Sequence, residues 1–67
     1  MAKIQLNGKK ITLKSGTSLR RLIKKYKMNE KKIAVELNGK IVSKAILKNR
    51  ILKNNDKVEL VHFIGGG

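Results

Sequence analysis

Two Asn-Gly dipeptides, Asn7-Gly8 and Asn38-Gly39, constrain the fold of this chain more than any other feature. Both residue types tolerate positive φ, so each pair favours a tight two-residue hairpin turn. Before the first, Lys3 to Asn7 alternate polar and apolar, the period of a half-buried strand. After it, Ile11, Thr12 and Leu13 supply the return strand, with Ile11 and Leu13 on one face. A hairpin over residues 3–14 follows. The second pair is preceded by Ile33-Ala34-Val35-Glu36-Leu37, whose Ile33, Val35 and Leu37 share a face, and is followed by a short strand at Ile41-Val42.

The stretch between the two hairpins changes period. Ser15-Gly16 breaks the strand, and Thr17 or Ser18 can cap a helix by accepting a backbone N–H. Leu19, Leu22, Ile23 and Tyr26 then fall at i, i+3, i+4 and i+7, one apolar stripe that buries against a sheet. Tyr26 reads as a ring at the edge of the core. Arg20, Arg21, Lys24, Lys25 and Lys27 lie on the opposite, solvated face. Asn29 is a plausible terminator, because Asn tolerates the left-handed conformation.

Residues 44–50 mix apolar and basic side chains without clear period and read as a short helical turn over one edge of the sheet. Leu52 is a core anchor before a turn at Asn54-Asn55-Asp56, and Lys57 to Phe63 is the last strand. Val58 and Leu60 face one side of it, Val61 and Phe63 the other. With one good helix to cover a sheet, one face is left open. Val61 and Phe63 then contribute to an exposed apolar patch, with Val42 nearby, and such patches on small domains mark partner sites. The competing reading is that residues 44–52 fold over them.

Composition narrows the function. A chain of 67 residues buries only about 60% of the surface its unfolded form exposes, which leaves no room for both a deep catalytic cleft and a stable core. It has no cysteine, hence no disulfide, thiolate zinc site or thiol nucleophile. That suits a reducing cytoplasm, the expected location. Apolar runs fall far short of the roughly 18 residues of a membrane span, and no signal peptide is evident. Lys and Arg number 17 against 4 acids, Glu30, Glu36, Asp56 and Glu59, for a net charge of +13. Such a field attracts nucleic acid, anionic lipid or an acidic protein face. Aromatic residues are only 3% of the chain, so base-stacking platforms are missing and nucleic acid is not the expected partner. His62, the single histidine, has no second ligand candidate and no evident orienting acid beyond Glu59, and reads as structural or interfacial.

The chain closes on Gly65-Gly66-Gly67. Three glycines cannot be held by packing, so residues 1–64 read as the domain and 65–67 as a flexible tail. Fully extended, that tail reaches roughly 10 Å, and it can enter a channel too narrow for any side chain. Its carboxylate is the candidate functional group. The alternative is a frayed end without a role.

The order hairpin, helix, strand, short strand, irregular connection, final strand and glycine tail is that of an α+β ubiquitin-like β-grasp, a mixed four- to five-stranded sheet packed on one main helix. The stretches Ala34 to Val42, Leu52 to Leu60 and His62 to Gly67 resemble the ThiS family, the sulfur carrier proteins of thiamine biosynthesis, and Ser15-Gly16-Thr17 fits that family's strand-to-helix passage. Asn55 departs from the glycine usual there, which Asn mimics at positive φ. The resemblance implies a carrier, not an enzyme. By that resemblance Gly67 is expected to be adenylated by a ubiquitin-activating-enzyme-like adenylyltransferase (ThiF-like) that holds ATP and magnesium; nothing in the chain resembles a phosphate loop, and no cofactor or metal is expected on it. Sulfur from a donor such as a cysteine desulfurase then gives a thiocarboxylate, delivered to a thiazole synthase (ThiG-like). On the same resemblance Gly65 and Gly66 are expected to thread the partner's channel, and Val61, Phe63 and Ile64 to dock on it. Within the same fold, a molybdopterin or tRNA-thiolation carrier or a ubiquitin-like protein modifier shares the tail chemistry. From a different class, a basic β-grasp RNA-binding module explains the charge and leaves the glycines unexplained.

Overall fold

The computed structural model describes residues 1–62. Both Asn-Gly dipeptides form the turns their chemistry favours. φ is +49° at Asn7 and +84° at Gly8, and +53° and +85° at Asn38 and Gly39, the paired positive angles of a type I′ hairpin. The first joins β1 (Ala2–Leu6) to β2 (Lys9–Leu13), and the second joins β3 (Ile33–Leu37) to a two-residue β4 (Lys40–Ile41). The last strand, β5 (Lys57–His62), lies in the middle of a five-stranded sheet ordered β2-β1-β5-β3-β4. It runs parallel to β1 and antiparallel to β3, so the sheet is mixed.

One helix, α1 (Leu19–Lys25), crosses a single face of this sheet. Ser18 is its cap, with the Oγ accepting the Arg21 N–H at 3.2 Å, while Thr17 Oγ1 donates instead to the Lys14 carbonyl. The two N–H groups ahead of Arg21 are satisfied from an unexpected direction. Leu19 N–H donates to Arg50 O and Arg20 N–H to Leu47 O, so the irregular stretch after β4 bonds onto the start of the helix. That stretch holds a 3-10 turn at Lys44–Ile46, and Leu47 directly after it is wholly buried. Leu47 therefore joins Leu52 as a second anchor that an aperiodic sequence did not reveal. The core comprises Leu19, Leu22 and Ile23 from α1, the inward residues of β1, β3 and β5, Leu13, Leu47 and Leu52.

The helix stops earlier than the stripe suggests. Lys27, not Asn29, takes the left-handed angle, with φ +56°. Its N–H donates to Lys24 O, and Met28 N–H donates to Ile23 O at 3.1 Å, the bond pair of a Schellman motif. Tyr26 becomes the C-cap and is 43% exposed, so the buried stripe has three members. Asn29 begins the next element: its side chain accepts the Lys31 N–H and caps a 3-10 turn at Glu30–Lys32. A lysine in the left-handed region costs roughly 1–2 kcal/mol, offset against the roughly 0.4–1 kcal/mol that glycine's looser unfolded chain costs. Lys27→Gly is therefore expected to stabilise the fold by about 0.5–1 kcal/mol, read as a higher urea midpoint with unchanged slope. A lower midpoint would show that the Lys27 side chain carries a contact of its own.

Candidate functional site

Everything at the site hangs on β5, and both hairpin turns are fastened to it by asparagine side chains. Asn7 Oδ1 accepts the Leu60 N–H at 2.8 Å while its Nδ2 donates to Leu60 O at 3.3 Å, so one amide imitates a strand residue. On the other side, Asn38 Oδ1 accepts the Lys57 N–H at 2.8 Å, and Asn38 Nδ2 donates to Asp56 Oδ1 at 3.0 Å. Asp56 is the one buried charged side chain among the described residues, and its Oδ2 also accepts the Lys53 N–H at 2.8 Å, with Arg50 Nη2 at 3.8 Å. The turn before β5 is held to β1 as well. Lys3 N–H donates to Asn54 Oδ1, and Asn55, at φ +71°, donates its N–H to Lys3 O. Asparagine thus takes the conformation for which glycine is the usual choice.

These clamps leave β5 with one buried and one open face. Val58 and Leu60 point into the core, whereas Lys57, Glu59 and Val61 lie on the face away from α1. Val61 is 51% exposed and pairs with Ala34. Next to that pair, Glu59 sits opposite Glu36, and Glu36 in turn sits opposite Ile41, which is 73% exposed. The open apolar spot is therefore Val61, Ala34 and Ile41. Val42 is not part of it: it is half-buried against the core, because the turn places Ile41 outward and Val42 inward. Residues 44–52 do not cover Val61 either, since their bonds run to Thr17, Leu19 and Arg20. Phe63, Ile64, Gly65, Gly66 and Gly67 lie outside the described residues.

Two carboxylates directly opposite each other on neighbouring strands repel. Among the described residues neither Glu36 nor Glu59 has a cationic or hydrogen-bonding partner for its side chain. The other two acids are engaged: Glu30 accepts two bonds of 3.0 Å from the Arg20 guanidinium, and Asp56 has the contacts above. Arg20 consequently leaves the solvated face on which its spacing puts it and forks across to the 3-10 turn. His62 is exposed at the end of β5 and pairs with Ile33. Strand alternation puts it on the opposite face from Glu59, so Glu59 cannot orient it. Among the described residues no group of three potential metal ligands occurs, and no helix is long and apolar enough to cross a membrane.

The model of the ThiS family matches residues 3–67. The chain belongs to the ThiS family. Among its relatives, the sulfur carrier protein ThiS of Bacillus subtilis is 37% identical over 65 residues, covering 96% of this chain and 98% of that one. A thiazole synthase of Magnetococcus marinus is 40% identical over 65 residues, and here the ThiS-family chain spans only 20% of the relative's length. The crystal structure of the thiamine biosynthesis protein ThiS from Geobacter metallireducens superposes with a TM-score of 0.82 at 28% identity, covering 97% of this chain and 99% of that one. The β-grasp expected from the order of elements is thereby the fold observed.

Proposed function

We propose that this chain is a sulfur carrier of thiamine biosynthesis whose reacting group is the Gly67 carboxylate. The observation that carries the proposal is its 37% identity to the Bacillus subtilis sulfur carrier across nearly the full length of both. The sheet adds a physical reason. β5, the strand that leads into Phe63-Ile64-Gly65-Gly66-Gly67, is bonded on both sides and clamped by Asn7 and Asn38. A rigid base of this kind suits a group that must be presented to a succession of partners.

A carboxylate is a poor electrophile and must be activated. In the proposed sequence a Gly67 oxygen attacks the α-phosphorus of ATP and expels pyrophosphate, giving an acyl-adenylate. A persulfide then attacks the acyl carbon through its terminal sulfur and expels AMP. A thiol cleaves the resulting S–S bond, leaving a thiocarboxylate on Gly67 and a disulfide on the donor side. ATP and magnesium belong to the activating partner, a ThiF-like adenylyltransferase, and the persulfide to a donor such as a cysteine desulfurase. Gly65 and Gly66 occupy the partner's channel, while Val61, Phe63 and Ile64 dock beside it. A thiazole synthase is the proposed acceptor, supported by the thiazole synthase that carries a ThiS-like stretch within its own longer polypeptide. The cytoplasm, with its ATP and reduced sulfur, is the compartment this reading requires.

Intact mass after incubation with ATP, the adenylating partner, a persulfide donor and a thiol tests the reading. Replacement of one oxygen by sulfur is expected. An unchanged mass with a partner that loads its own carrier would overturn it.

A further inference from the structure

We propose that the free edge of β2 and the basic face of α1 form a docking groove for an extended acidic segment of another protein, added to the sheet as a sixth strand. This surface lies on the far side of β1 from β5, and the inference goes beyond the sulfur-carrier reading.

The edge is open by register. Gln5 and Asn7 donate their N–H groups to Asp56 O and Val58 O, on the β5 side, so Ala2, Ile4 and Leu6 turn theirs toward β2. Their partners Leu13, Ile11 and Lys9 are thereby consumed, and the N–H and C=O of Lys10 and Thr12 face outward. Both residues are exposed, and no backbone partner beyond β2 occurs among the described residues. Beside the end of this edge lies a groove lined by Leu13, Lys14, Thr17, Arg21, Lys24 and Lys25. None of the four acids lines it: Glu30 is taken by Arg20, Asp56 sits in the turn before β5 bonded to Asn38, and Glu36 and Glu59 lie on the β3–β5 pair.

Charge selects the occupant. Lysines along a sheet edge deter pairing with an identical edge, so a second copy of this chain meets Lys9, Lys10 and Lys14 with its own. An acidic strand meets complementary charge and finds paired donors and acceptors at Lys10 and Thr12. A nucleic acid would use the charge but not the strand edge, and Tyr26 is the one aromatic side chain among the described residues.

The probe is a peptide of about ten alternating glutamate and valine residues, added to the isotopically labelled full chain at low ionic strength. Amide shifts should concentrate at Lys9–Lys14, with hydrogen exchange slowed at Lys10 and Thr12. An N-methylated peptide of the same charge should bind at least about tenfold more weakly, since it cannot complete the ladder. Joint reversal of Arg21, Lys24 and Lys25 to Glu should weaken the unmodified peptide by about tenfold. A variant ending at Ile64 cannot carry sulfur and should bind the peptide unchanged, which keeps this test separate from the carrier reading. Equal binding of the N-methylated peptide, shifts confined to α1, tighter binding of an oligouridylate, or self-association through β2 would each overturn the proposal.

Discussion

Deleting Gly67 is expected to abolish sulfur loading. The deletion moves the carboxylate back by roughly 3.5 Å, one extended residue. Misplacement of a reacting group by about 1 Å already costs on the order of 100-fold, so a loss of at least about 1000-fold follows. Adding one alanine after Gly67 should be as damaging, because the acyl carbon then belongs to a residue with a Cβ, which the narrow channel proposed for the tail would not admit. Intact mass under conditions that load the unaltered chain checks both variants. Loading of the shortened chain at the normal rate would show that Gly67 is not the reacting residue. The fold should be indifferent to either change, so a matched urea midpoint separates chemistry from stability.

Asp56→Ala is expected to have the largest effect on stability, about 2–4 kcal/mol. Asp56 is 7% exposed and accepts from both Asn38 Nδ2 and the Lys53 N–H, two charge-assisted bonds that the substitution removes. A domain of 67 residues has only about 3–10 kcal/mol to lose, so the variant should be partly unfolded near 37 °C. Asp56→Asn keeps one acceptor oxygen and should cost about half as much. Urea unfolding of the two variants measures this. A cost below about 0.5 kcal/mol for Asp56→Ala would mean that the turn before β5 is held by its backbone bonds alone.

The parts of the fold legible in the sequence are those specified locally. Asn-Gly turns, the alternation in β1, β3 and β5, and the Leu19, Leu22, Ile23 stripe each depend on neighbours within a few residues. Leu47 was hidden because its burial comes from a segment of no period, anchored by backbone bonds to a helix start far away in sequence. Tyr26 and Asn29 depart from the places their spacing predicts for one reason: the Schellman turn closes on Lys27, a residue type with no preference for that conformation. Arg20 left its expected face because a carboxylate ten positions later faces it. At the site, β5, its open face and Val61 were readable from alternation. The clamps were not. Asn7 and Asn38 were recognisable as turn residues, but their second role, reaching 53 and 19 positions along the chain, exists only once the strands are assembled.

The central position of β5 also has a mechanical consequence. Five residues of β5 pair with β3, while Lys57 and Val58 pair with β1 and the Asn7 amide grips Leu60. A pull along the strand axis therefore loads these bonds together, in shear, instead of peeling them one at a time as it would at an edge strand. A partner that grips the end of β5 and draws on it works against the bonds on both sides of the strand at once. Tension applied there is passed to both halves of the sheet at once, so the domain moves as one body with whatever its last strand is tethered to.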